Sequence, residues 1–419
     1  MNKRDFLKTF GTAAIGSPFL SLDLSSNHKF ENYSKRNNLS ETDFWKKIRE
    51  DYTLKKDYIN LENGYYCIVP NPTLNNFIAH VKKINIEGSY YMRHNRDKDN
   101  KRIEARLANF LNCDPDELVV TRNTTESLDL IIGGFPWKKG DEAIYAKQDY
   151  GAMQQMFKLV SKRHGVVNKV VSVPNHPKSD EEIVKLYENQ ITSKTKLIMV
   201  CHMVNITGHI LPIRKICDMA HKYGVEVMVD GAHCIGHFKV NISELNCDYY
   251  GSSLHKWLST PLGVGILYIS KNKVSKINPL LASHVHEQDN ILRLNHIGTH
   301  PVYTDLAVDN ALDYQEMIGT DRKENRLRYI QRYWSDKLRK IKNVVINTPI
   351  EKHKSCGIAN VGIKNMDPGK LSKILLDKYQ IFTVAINHEN VVGCRISPNV
   401  YTNEKDLEHF ISSMKELAV

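Results

Sequence analysis

No apolar run reaches the ~20 residues that a membrane-spanning helix needs, and the mean hydropathy is −0.42. None of the eight cysteines stands in a C-x-x-C pair, which removes the spacing signal of a zinc ribbon or a thioredoxin-type redox site. Eight cysteines in 419 residues are also too few for a disulfide scaffold. No G-x-G-x-x-G follows a strand-like run, and no G-x-x-x-x-G-K-[ST] occurs. Nicotinamide-type Rossmann and P-loop readings therefore lack their phosphate cradle. Glycine (22) and proline (14) are ordinary and 25% of residues are charged, which excludes collagen-like and wholly disordered chains. Lys and Arg exceed Asp and Glu, 58 against 47. No basic block interleaved with aromatics accompanies this surplus, so a nucleic-acid partner has no visible footprint. A mildly basic surface with an anionic small ligand accounts for it.

What is present is a long chain with 41% hydrophobic residues, enough for two or three folding units. Strand-like runs at Leu118–Thr121, Glu142–Ala146, 169–173, 196–201, 225–229, 248–252 and Gly265–Ile269 alternate with helical patterns. The helical patterns include 152–164, 180–190 and 213–223. That alternation predicts an α/β fold whose parallel or mixed sheet is covered on both faces. After about residue 305 the texture changes to a charged helix over 321–341, strands at 358–361, 381–386 and Val391–Ile396, and a last helix over 403–417. The expected organisation is residues 1–40 as an export-signal-like segment and linker, and 41–70 as a segment packing with the small domain. A large domain over 71–305 and a small α+β domain over 306–419 follow.

The first 20 residues place Lys3-Arg4 before Asp5-Phe6-Leu7 and a small-residue apolar stretch. This resembles a twin-arginine export signal with lysine in place of the first arginine, and implies a periplasmic location. Without it, a cytoplasmic one follows.

Three junctions between strands and loops carry chemistry. Lys256, in S-S-L-H-K-W at 252–257, is placed for a lowered pKa and a Schiff base with an aldehyde; a surface lysine is the alternative. Asp230, in V-D-G-A-H at 229–233, ends an apolar strand, where a carboxylate needs a cationic partner such as a protonated pyridine nitrogen. His233 reaches the same region, and no further ligand stands at metal spacing. Thr121 to Glu126, T-R-N-T-T-E, combines hydroxyls with a helix N-terminus, a phosphate site or a plain capping turn. Together the three make a site for pyridoxal 5'-phosphate (PLP).

With G-D-E at 140–142 and N-x-T-G at 205–208, these motifs resemble the class V aminotransferase family of fold-type I PLP enzymes, from about Asn60 to Ala418. The resemblance implies a mostly parallel seven-stranded sheet in the large domain. It implies that Lys256 holds the cofactor and shuttles a proton at Cα, and that Asp230 partners the pyridine nitrogen. Asn205 and His233 are implied near the phenolic oxygen, and Tyr150 stacked on the ring. Thr124, Thr125, Ser253 and His255 are implied at the phosphate, and Thr299 at the phosphate of a neighbouring subunit in a homodimer. Arg395 is implied at the substrate α-carboxylate, with a structural salt bridge as the alternative, and Asn60, Asn63 and Gly64 are implied on the substrate side. Arg93 and Arg96 are candidates for a second acidic group, with surface placement as the alternative.

Cysteine desulfurases carry a nucleophilic cysteine on a loop before the arginine equivalent to Arg395. Residues 381–392 contain none, and Cys394 adjoins the arginine in a strand. The texture sits nearest the isopenicillin N epimerase-like branch, with Lys256 and Tyr150 as acid/base candidates on the two faces of Cα. Epimerase, racemase, aminotransferase and β-lyase or C–S lyase outcomes stay open. A PLP-binding sensor is the non-enzymatic alternative, although residues 1–59 are too short and polar for a helix-turn-helix module.

Overall fold

The computed structural model describes residue 36 and residues 38–419, so the export-signal-like segment at 1–20 lies outside the described residues. Residues 45–419 pack as one unit and carry everything that follows. Its strands in chain order begin with β1 (Ile59–Asn60), β2 (Leu118–Thr121), β3 (Glu142–Ala146) and β4 (Val167–Val171). Next come β5 (Thr195–Cys201), β6 (Glu226–Asp230), β7 (Tyr249–Ser253) and β8 (Gly265–Ile269). The C-terminal part adds β9 (Val344–Ile346), β10 (Ala359–Ile363), β11 (Ile381–Phe382), β12 (Val384–His388) and β13 (Val391–Ile396).

β2 to β8 form one seven-stranded sheet in the order β2-β8-β7-β6-β5-β3-β4. β8 runs antiparallel to both its neighbours, and the other pairings are parallel. β3, β6, β7 and β8 are buried at every position, as strands covered on both faces must be. One covering layer is built by helices Thr124–Gly134 and Gly151–His164. They bury Leu128, Ile131, Met153 and Phe157 against Tyr145, Met228, Tyr249 and Leu267 of the sheet. The helix Ile213–Lys222 buries Ile213, Ile216, Cys217 and Ala220, the i, i+3, i+4, i+7 stripe of a surface helix. Because β2, β3, β5, β6 and β7 share a direction, Thr121, Ala146, Cys201, Asp230 and Ser253 all finish at one edge of the sheet. That is where open α/β sheets bind ligands.

The C-terminal sheet is antiparallel, in the order β12-β13-β10-β9. β1 pairs in parallel with β11, and Glu62 bridges to Ser397. The segment after β1 is thereby carried to the end of β13. The helix Val302–Ile318 spans residue 305 and lies along Asn71–Glu87, where His80 Nε2 contacts Asn310 Oδ1 at 2.8 Å.

Two expected strands differ. The run expected at 169–173 is strand at Val167–Val171. It is a half-exposed edge strand, so its apolar residues do not mark its register. The run expected at 381–386 is two strands, β11 and β12. They separate at Thr383, because β11 pairs with β1 while β12 pairs with β13.

Candidate active site

At the carboxyl edge of the large sheet the chain folds a cavity. Asp230 forms part of the lining, at the end of the central strand β6, and is 5% exposed. Its Oδ1 accepts the backbone N–H of Ala232 at 3.0 Å. Burial raises its pKa while the facing Lys256 lowers it. Lys256, on the turn after β7, is partly buried in the cavity wall, and burial brings its pKa down from 10.5 to about 8 against the pull of Asp230. Its Nζ lies 3.0 Å from His233 Nε2. An amine of this kind is far closer to its nucleophilic form at neutral pH than a surface lysine.

The opposite end is built for an anion. Asn123 caps helix Thr124–Gly134, its side chain accepting the N–H of Glu126 at 2.9 Å. The N–H of Thr124 donates to Ser253 Oγ at 3.0 Å, and the two hydroxyls meet at 2.7 Å. Thr124, Thr125 and Ser253 all face the cavity, at a helix N-terminus whose positive dipole end suits an anion. His255 lies beside them, with Nδ1 3.1 Å from the Val264 carbonyl, and burial lowers its pKa to about 4. The imidazole is therefore neutral at pH 7, with its proton on Nδ1 and Nε2 bare.

Arg395, on β13, closes the third side and is 7% exposed. Glu62 grips it: Nε donates to Oε2 at 3.1 Å and Nη2 to Oε1 at 2.5 Å. Glu62 also accepts the N–H groups of Gly64 and Tyr65, both at 3.0 Å, and Ser397 Oγ at 3.2 Å. With the Nε edge taken, the open edge of the guanidinium is the Nη1/Nη2 fork, whose Nη1 makes one long contact, 3.4 Å, to the Asn205 carbonyl. Gly64 is required there, since a Cβ would stand 2.4 Å from Arg395 Cζ. Asn205 and Tyr150 complete the wall, Tyr150 half-exposed at the start of Gly151–His164.

Eleven of the residues expected at the site thus share one cavity: Gly64, Thr124, Thr125, Tyr150, Asn205, Asp230, His233, Ser253, His255, Lys256 and Arg395. Asn63 is not in its wall. Its amide donates to the Ser397 carbonyl and accepts from Tyr401 Oη, each at 2.8 Å, so it ties the segment after β1 to the C-terminal part. Asn60 likewise donates to Tyr401 Oη at 3.0 Å. Thr299 lies exposed outside the cavity, and neither Arg93 nor Arg96 lines it. Sequence reasoning missed Glu62, whose partner is 333 residues away, and Trp257, described below.

The class-V aminotransferase model matches residues 73–410. The chain belongs to the class-V aminotransferase family. Among its relatives, the isopenicillin N epimerase of Amycolatopsis lactamdurans is 26% identical over 332 residues, 75% of this chain and 83% of that one. A cysteine desulfurase of Wigglesworthia glossinidia brevipalpis is 26% identical over 412 residues, 88% of this chain and 96% of that one. The solved structure of a C-DES variant with glycine covalently linked to its PLP cofactor superposes with a TM-score of 0.80 at 19% identity. It covers 88% of this chain and 99% of that one. The fold of this class V chain is accordingly fold-type I.

The donor set of the cavity fits PLP. A buried carboxylate with one backbone hydrogen bond suits a protonated ring nitrogen, a desolvated amine suits the aldehyde, and a hydroxyl-lined helix end suits the phosphate.

Proposed function

We propose that this chain is a PLP-dependent enzyme acting at Cα of an amino acid, in the manner of the isopenicillin N epimerase-like branch. The observation that carries the reading is the convergence of Lys256, Asp230 and the Thr124–Ser253 pair in one cavity. PLP bound there supplies an electron sink for the charge left at Cα. Asp230 holds a proton on the ring nitrogen, and His233 and Asn205 border the phenolic oxygen. Thr124, Thr125, Ser253 and His255 take the phosphate. Arg395 offers the Nη1/Nη2 fork to the α-carboxylate, held in place by Glu62. Lys256 moves a proton at Cα on one face, and Tyr150 is assigned the other.

In the same reading the chain forms a homodimer in which Thr299, exposed on its own protomer, reaches the partner's phosphate site. Residues 1–20 direct export to the periplasm. Residues 71–305 act as the cofactor domain and 306–419 as the small domain, with 41–70 packing on the latter. A C–S or β-lyase outcome is the second reading, favoured by similarity to the desulfurase and C-DES.

The test is incubation of PLP-loaded protein in heavy water with a panel of L- and D-amino acids, followed by chiral separation and mass spectrometry. Inverted configuration with deuterium at Cα supports the epimerase reading. Pyruvate-type fragments with no inversion favour the lyase, and no change in any amino acid rejects both.

A further inference from the structure

His233 and His237 follow β6 one helical turn apart, and each meets a group that can only donate. The Trp257 indole donates from Nε1 to His233 Nδ1 at 3.3 Å, and the backbone N–H of Gly357 donates to His237 Nε2 at 2.7 Å. A neutral imidazole carries one proton, so the nitrogen that accepts is bare and the other is the donor. His237 therefore donates from Nδ1 to the His233 carbonyl, 2.8 Å away. By the same rule the His233 proton sits on Nε2, 3.0 Å from Lys256 Nζ. An ammonium has no lone pair to accept it. The contact is a hydrogen bond only when Lys256 is the free amine.

The indole is fixed in this role. Trp257 is fully buried and stacks on His237 with centroids 3.6 Å apart and planes 16° apart. A Cβ at Gly357 would stand 2.9 Å from both Trp257 Cη2 and His237 Nε2. We propose that Trp257 is a positioning residue that fixes the Nε2–H form of His233 and thereby holds Lys256 as the free amine that captures the cofactor aldehyde. This rests on the reading above that Lys256 carries the cofactor.

The charges around the pair are consistent with it. Lys256 faces Asp230 on β6, Arg395 on β13, Cys201 on β5 and Cys67 on the segment after β1. His233 faces Lys256, Arg395, His237 and His255, and burial holds both His233 and His237 well below the ordinary histidine range.

Two readouts test this on the full chain freed of cofactor. The first is nitrogen-15 NMR of labelled histidine side chains in the unmutated protein, with the His233 signal assigned by its loss in His233→Gln. The Nε2–H form is expected, and the Nδ1–H form overturns the proposal whether or not PLP binds. The second is the pH profile of PLP capture, followed by absorbance and trapped with borohydride. Trp257→Phe keeps the aromatic stack but frees Nδ1, so His233 can accept from an ammonium. The midpoint is expected to rise by about one pH unit, a tenfold slower capture at pH 7. On a His233→Leu background the same substitution is expected to move nothing, because an apolar side chain neither donates to Lys256 nor accepts from it. An unchanged midpoint in Trp257→Phe, or an equal shift on the His233→Leu background, overturns the proposal. Failure of PLP to attach to Lys256 in every protein contradicts the functional reading instead, and leaves the NMR result to decide the tautomer.

Discussion

Arg395 and Glu62 are 9% and 6% exposed at their side chains, and neither is replaceable by simple truncation. Removing one partner of a buried ion pair leaves the other charge uncompensated, at about 3–5 kcal/mol. Glu62→Ala is expected to lose that much in denaturant unfolding, and an unchanged midpoint would contradict the strut assigned to it. Lys323 gives a pH-dependent counterpart. Its buried ammonium donates to the Trp257 carbonyl at 2.6 Å and to Gln315 Oε1 at 2.8 Å, and burial pulls its pKa from 10.5 to about 8. Between those values the unfolded chain binds the proton that the folded chain has lost, so this lysine makes stability rise with pH there and costs most below pH 8. The stability of the unmutated protein relative to Lys323→Met is therefore expected to rise by about 3 kcal/mol from pH 7 to above pH 10. A difference that does not vary with pH would refute the buried-cation assignment.

At the scale of elements, the β12–β13 hairpin sets what chemistry the site lacks. Its turn, Glu389-Asn390, is docked onto the residues after β3. Lys147 Nζ meets Glu389 at 3.1 Å, Gln148 donates to Asn390 Oδ1 at 2.8 Å, and His388 Nε2 contacts the Lys147 carbonyl at 2.7 Å. No extended loop with a cysteine stands there, and Cys394 is fully buried, its pKa pushed up to about 12. Cys201, which does line the cavity, has its thiol raised well above the ordinary value by burial and by Asp149 and Asp230. Incubated with L-cysteine, the PLP-loaded protein is expected to form no persulfide on any cysteine. Mass-spectrometric detection of one on Cys67 or Cys201 would contradict this.

The elements also show what the sequence makes readable. β6 was legible to within one residue because its interior, Val227-Met228-Val229, is continuously apolar, as in a strand buried on both faces. Asp230, Lys256 and Thr124 were legible because Asp230 ends β6 and the other two lie three residues beyond the ends of β7 and β2. β4 and the β11–β12 break were not, since edge exposure and a change of partner leave no periodic trace. Glu62 and Trp257 were illegible for another reason. Their roles depend on tertiary contacts, and neither Glu62-Asn63-Gly64 nor Lys256-Trp257 carries a local signal for them.

For the whole molecule, the cavity draws on both sheets: Asp230 and Ser253 end strands of the large one, while Arg395 comes from the small one. Thr299 lies outside the cavity of its own chain, so the proposed phosphate contact requires a second copy. Sedimentation is expected to show a dimer, and a Thr299→Ala chain is expected to lose PLP more readily without a change in fold. A monomer that holds PLP as firmly as the unmutated protein would contradict the shared site. Among the described residues no helix is long and apolar enough to cross a membrane.

The most direct measurement is to load the full chain with PLP, reduce with borohydride and locate the modified peptide by mass spectrometry. One pyridoxyl group per chain on Lys256, lost in Lys256→Ala and weakened in Asp230→Ala, is the predicted result. Modification at other lysines with Lys256 untouched would contradict the assignment of this cavity.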